Sequence, residues 1–238
     1  MLKIKNLDVY VGSRRILKEI NLNLKKNEVA VLLGPNGSGK TTLVKAIVGL
    51  PDVCIKKGKI FFRGKDITSL PPEGRVKMGI GVSFQHPPPV KGVNMFEFIK
   101  KISRRSLGTI KKEFLFKDLL KRELNVDFSG GELKISELMQ LIALDPKVLI
   151  LDEIDSGLDI QKIKRVANLI RKYFIKKSKA LLLITHTGQI MKYIKPSKVH
   201  VMLDGKIVCT SNNWKRVWEI VNKYGYEKCK KCKLSSSE

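Results

Sequence analysis

Three short stretches hold residue types able to do phosphate chemistry. Gly34-Pro35-Asn36-Gly37-Ser38-Gly39-Lys40-Thr41 fits the pattern GxxxxGK[ST]. Glycines there let backbone N–H groups wrap phosphate oxygens, and a helix opening at the end of the loop adds its dipole. Lys40 would reach the outer phosphates and the Thr41 hydroxyl would ligate Mg²⁺. Asp152-Glu153 comes directly after the apolar run Val148-Leu149-Ile150-Leu151. A carboxylate at the end of a buried parallel strand faces the ligand crevice, where it can hold magnesium through water, and its neighbour can polarise an attacking water. Phe128-Ser129-Gly130-Gly131-Glu132 opens a segment with apolar residues at helical spacing, which makes a second anion-binding helix start.

The elements that must position these groups are legible in outline. Residues 2–9 and 16–24 alternate as half-buried antiparallel strands do. The run 29–33 reads as a central strand, and Leu43, Ala46, Ile47 and Leu50 fall on one helix face behind the glycine loop. Residues 60–62, 80–82, 147–151 and 180–185 read as further strands. Pro87-Pro88-Pro89 forces the chain out of the sheet, and residues 94–102 and 112–124 read as amphipathic helices of an inserted subdomain. Asp204-Gly205 is a hairpin turn signal, and 213–224 reads as a last helix before a polar tail. The expected architecture is one α/β domain: core residues 1–85 and 125–225, an insertion over 86–124, and a tail over 226–238.

At 238 residues with 43% hydrophobic content, the chain suits a single globular core and is not mainly disordered. No apolar run approaches the eighteen or so residues that cross a bilayer, and the amino end carries no secretory segment. A cytoplasmic address without membrane insertion is expected. The net charge of +25 comes from basic residues scattered in short pairs, without interleaved aromatics, so no nucleic-acid partner is expected. Cys54, Cys209, Cys229 and Cys232 read as thiols, and the Cys229/Cys232 pair lacks a second pair for a tetrahedral metal site, so an exposed redox-labile tail is expected.

One phosphate loop already exists in this chain, so the second anion site reads most economically as serving the nucleotide of a partner subunit. At this point the sequence closely resembles the ABC ATPase family. Residues 128–132 stand for its Leu-Ser-Gly-Gly-Gln signature, Gln85 for its Q-loop, Ser156-Gly157-Leu158-Asp159 for its D-loop and His186 for its switch histidine. The resemblance covers nearly the whole chain. It implies an α/β P-loop NTPase core of the ABC ATPase kind, with an N-terminal antiparallel β-subdomain and an inserted helical subdomain. It also implies ATP and Mg²⁺ as cofactors and ATP hydrolysis as the reaction. Glu153, His186 and Gln85 would be catalytic, and Thr41, Gln85 and Asp152 would hold the metal. The nucleotide would contact Gly34, Pro35, Asn36, Gly37, Ser38, Gly39, Lys40, Thr41 and Thr42. Ser129, Gly130, Gly131, Glu132 and Asp159 would reach it from the other side, as a second copy closes on ATP binding. The family's adenine-stacking aromatic has Tyr10 as its nearest candidate, with Val11 the other residue for that position.

Within the family, 125–132, 152–160, 193–196 and 199–201 resemble the soluble SufC-type ATPases of iron–sulfur cluster assembly. Ile154 and Asp155 stand where transporter ATPases carry Pro-Thr. This finer resemblance implies a SufB/SufD-like soluble scaffold protein as partner, docked around Gln85 and 94–124. A membrane-transporter subunit shares the same catalytic residues and is the alternative, and an ATP-dependent dimerisation clamp is a third reading that leaves Glu153 and His186 without a purpose. Two resting contacts are also expected, Asp155 with His186 and Lys134 with Glu153.

Overall fold

The computed structural model describes residues 1–84, 87–103, 117–177 and 179–231. Strands β1 (Leu2–Val11), β2 (Arg14–Leu24), β4 (Cys54–Phe62) and β5 (Lys65–Asp66) form a four-stranded antiparallel sheet in the order β2-β1-β4-β5. A six-stranded sheet has the order β12-β11-β3-β10-β9-β6, built from β3 (Val29–Leu33), β6 (Ile80–Ser83), β9 (Val148–Asp152), β10 (Ala180–Thr185), β11 (Lys198–Leu203) and β12 (Lys206–Ser211). All neighbours in it run parallel except the β11–β12 hairpin.

Every residue of β3, β9 and β10 is buried, because both faces of the sheet are covered. Period-two alternation divides them between two cores. Val31, Leu33, Leu149, Leu151, Leu181 and Leu183 pack toward helices α5 (Gly130–Leu144), α6 (Ile160–Ile170) and α7 (Trp214–Tyr224). Ala30, Leu32, Val148, Ile150, Leu182 and Ile184 pack toward α1 (Lys40–Val48) and the antiparallel sheet. The helix α2 (Pro72–Met78) holds Arg75, which is 2% exposed. Its guanidinium donates to Ala46 O (2.7 Å) and Ile47 O (2.8 Å) in the last turn of α1 and to Thr68 O (2.8 Å), while its Nε donates to Leu70 O (2.7 Å).

The inserted segment differs from the expected pair of helices. Asn94 caps α3 (Met95–Ile102), accepting from Phe96 N and Glu97 N. Residues 112–116 of the second expected helix lie outside the described residues, and its remainder is one turn, α4 (Lys117–Leu120), leading into a strand. That strand, β8 (Glu123–Leu124), pairs with β7 (Val90–Asn94) in a separate two-stranded sheet. The three prolines precede β7 and leave its N–H groups free to pair, which apolar periodicity does not reveal.

The tail also differs. Residues Tyr226–Lys231 form a 3₁₀ turn, and Cys229 is 2% exposed within the helical-side core, so it is not an exposed thiol. Cys232 lies outside the described residues. Among the described residues no helix is long and apolar enough to cross a membrane.

Candidate active site

Parallel order brings the chemistry together. Strands β3, β10 and β9 are adjacent, with Thr185 opposite Leu33 and Ile184 opposite Asp152. Their carboxyl ends therefore deliver the glycine loop, His186 and the Asp152-Glu153 pair to one edge, the usual ligand crevice of an open parallel sheet. The Glu153 N–H donates to Ile184 O at 2.8 Å, locking the end of β9 to β10.

Residues 34–39 turn from β3 into α1, with Gly39 at φ 105° as the residue before the helix. Lys40 is 5% exposed and its Nζ donates to Gly34 O and Pro35 O, both at 2.8 Å. Burial lowers its pKa, opposed by the charges of Glu153 and Asp152. An open depression of about 440 Å³ lies over the loop, lined by Ile16, Asn36, Gly37, Gly39, Lys40, Thr41, Thr42 and Glu153. Ile16 is the apolar wall of that depression, whereas Tyr10 is not among its lining residues. A β-strand residue so far ahead of the loop carries no motif, so only the fold identifies it.

Asp152 is 2% exposed, and its Oδ1 is buried without a hydrogen-bond partner. Desolvation, then the neighbouring Glu153 charge, pushes its pKa up to about 6 against the pull of Lys40, Thr41 and Lys134. The Thr41 side chain stands near enough to Asp152 to pull its pKa down. A hydroxyl beside a buried carboxylate with an orphaned oxygen suits a hard divalent cation that keeps most of its waters. Ser38 Oγ is likewise buried and unpartnered beside the loop. The Asp152 N–H donates to Ser83 Oγ at 3.1 Å, which ties β9 to the strand leading to Gln85. Gln85 itself lies outside the described residues.

Glu153 adopts a left-handed backbone, φ 52°, uncommon for a residue with a Cβ. Its Oε1 lies 3.1 Å from His186 Nδ1. The expected pairing of Asp155 with His186 is not what forms. Asp155 Oδ2 instead accepts from Thr185 Oγ1 (3.0 Å), Thr187 Oγ1 (2.8 Å) and Ile190 N (3.4 Å). The buried carboxylate thus grips the residues flanking His186, and the histidine is left to meet Glu153. Lys134 is buried, and its charge acts on Asp152 and Glu137.

The Ser129–Glu132 turn does not line the Lys40 depression. Ser129 is the N-cap of α5 in a capping box: Glu132 N donates to Ser129 Oγ (3.4 Å) and Ser129 N to Glu132 Oε2 (2.8 Å). Arg122 Nη1 donates to Glu132 Oε1 at 3.0 Å, and its guanidinium stacks 4.3 Å from the Phe128 ring centroid. Ser129 and Gly130 remain exposed. Asp159 caps α6, accepting from Lys162 N at 2.8 Å, and the next residue, Ile160, is 68% exposed.

A larger, mainly apolar groove of about 510 Å³ runs between the core and the insertion, with Val82, Phe84, Val90, Phe98, Leu124 and Glu137 in its walls. Phe84 N donates to Glu137 Oε1 at 2.6 Å, and burial pushes the Glu137 carboxyl up to about 7. Sequence patterning places Glu137 on a helix with no signal that it meets the segment before Gln85.

A family profile described as "ABC transporter" matches residues 17–156. A probable ATP-dependent transporter, slr0075, from Synechocystis sp. is 41% identical over 227 residues, covering 87% of this chain and 88% of that one. A probable ATP-dependent transporter, ycf16, from Trieres chinensis is 39% identical, covering 88% and 90%. Among solved structures, a nucleotide-free ATP-binding cassette from an ABC transporter superposes with a TM-score of 0.79 at 23% identity, covering 96% of this chain and 98% of the other.

Proposed function

This chain belongs to the ABC transporter family of ATP-binding proteins, and from that premise we propose that it hydrolyses ATP between two copies of itself to drive iron–sulfur cluster assembly on a soluble Suf-type scaffold. The observation that carries the hydrolytic reading is the Glu153–His186 contact at the mouth of the Lys40 depression. The loop N–H groups and Lys40 bind the phosphates, Lys40 by exchanging the carbonyls of Gly34 and Pro35 for phosphate oxygens. Thr41 and Asp152 would hold Mg²⁺, which supplies charge neutralisation on the phosphates. Glu153 orients a water for in-line attack and takes up its proton as the new O–P bond forms and the bond to ADP breaks. His186, steadied by Asp155 through Thr185 and Thr187, keeps the Glu153 carboxylate aimed. Ser129, Gly130, Gly131 and Asp159 are exposed or half-buried, as groups that complete the site of a second copy must be.

The scaffold reading rests on the stretches 125–132 and 152–160 and on the apolar groove walled by Phe84 and Pro87, a seat for a partner segment. A second reading, a subunit of a membrane transporter, is favoured by the names of the relatives, which are called transporters or transporter ATP-binding proteins. Anaerobic purification of the native chain from its own cells, with mass spectrometry of stoichiometric partners, separates them. Soluble scaffold subunits and scaffold-stimulated ATPase are expected; an integral membrane partner would return the chain to transport.

A further inference from the structure

The segment after the last helix is joined to the catalytic edge by side chains that the reaction as described does not use. Tyr226 hydroxyl donates to His186 O at 3.1 Å. His186 is the residue after β10. One half-buried phenol therefore ties the C-terminal segment to the backbone of the histidine that meets Glu153. The segment is itself fastened. Lys230 Nζ donates to Asp204 Oδ2 (2.9 Å) in the β11–β12 turn, whose Gly205 N donates to Ser38 O (3.0 Å) in the phosphate loop. Cys229 anchors the same 3₁₀ turn in the core.

We propose that Tyr226 is a positioning residue, which ties the His186 carbonyl to a C-terminal turn that Lys230 fastens to the β11–β12 turn beside the phosphate loop, and so sets the histidine's place against Glu153. It rests on the reading of the chain as an ATPase. Burial pushes the phenol up to about 12, so it keeps its proton at every working pH and donates throughout. Its hydrogen bond lies on the backbone of a catalytic segment, and the effect passes through His186 rather than by contact with ATP. The imidazole keeps its Glu153 partner on the other side, so each half of the residue is held by a different element.

The test compares the full-length chain with Tyr226→Phe, which retains the ring and loses only the hydroxyl. In steady-state hydrolysis of Mg-ATP, kcat is expected to fall about three- to tenfold, the loss of one hydrogen bond, while KM and Tm stay within error. An unchanged kcat overturns the inference. So does a fall in kcat accompanied by a raised KM and a lowered Tm, which marks a purely structural strap. Should the wild-type chain bind ATP without turning it over, the functional reading has failed, and the His186 imidazole resonance then decides this inference. A shift on ATP binding that Tyr226→Phe diminishes supports it, and an equal shift in both chains refutes it.

Discussion

Asp152 and Glu153 are neighbours in sequence but are held by different surroundings. Asp152 sits at the strand end with an orphaned oxygen and a pKa raised to about 6, whereas Glu153 turns outward in a left-handed backbone to meet His186. Replacing Glu153 by Gln keeps shape and hydrogen bonding but removes the proton acceptor of the proposed hydrolysis. Single-turnover hydrolysis should slow by about 10²- to 10⁴-fold with ATP affinity retained; a loss below tenfold would move the base elsewhere. For Asp152 the sign comes from burial. The folded chain holds this proton up to about 6, above the ordinary 3.8, so the group favours the folded state most at low pH and that contribution fades as pH rises through 6. Metal binding needs the ionised form, so apparent Mg²⁺ affinity in the presence of nucleotide should fall about tenfold per pH unit below 6. Isothermal titration at about pH 5 and about pH 7.5 gives the comparison, and equal affinities would show that Asp152 is not the ligand.

Elements carry a second group of consequences. Arg75 stitches α2 to the carboxyl end of α1, the helix that starts at Lys40. Arg75→Met fills similar space but strands buried carbonyls, and urea unfolding should show a loss above about 3 kcal/mol. A loss under about 1 kcal/mol would mean that water reaches those carbonyls. The α5 start is held more lightly. Ser129→Ala removes one side of the capping box and should cost about 1 kcal/mol, while the exposed hydroxyl it deletes would also be missing from a closed pair of subunits. Asp155 belongs to this scale, since it braces the turn after β10. Asp155→Thr should alter basal ATPase through the looser Thr185–Thr187 turn, and no change in rate would separate that brace from catalysis.

At the scale of the whole molecule, the excess of basic residues governs how two copies meet. A net charge of +25 makes like chains repel, and raising ionic strength from about 0.01 to about 0.15 M shortens the screening length from about 30 to about 8 Å. ATP-dependent association of the Glu153→Gln chain should therefore strengthen with salt over that range, as sedimentation velocity would show. Weakening with salt would point to complementary charges at the interface instead.

Much of this protein was legible in local pattern. The P-loop, the carboxylate strand and the serine–glycine turn are contiguous runs whose chemistry dictates residue type and spacing, and the buried strands announce themselves as unbroken apolar runs because a parallel sheet is covered on both faces. The family and fold were readable from those runs taken in order. Contacts between distant segments were not legible, because no spacing rule links residues that meet only when strands take their places in the sheet. Asp155 chose Thr185 and Thr187 over His186 because the turn after β10 presents its hydroxyls and amide to that carboxylate. Glu137 found Phe84 N, Ile16 became a wall of the depression over the glycine loop, and residues 226–231, polar in composition, were pinned by Tyr226, Cys229 and Lys230. Sequence alone determined which groups could do the chemistry; tertiary structure decided which partner each of them has, since a buried polar group must take whatever donor or acceptor the packing brings within reach.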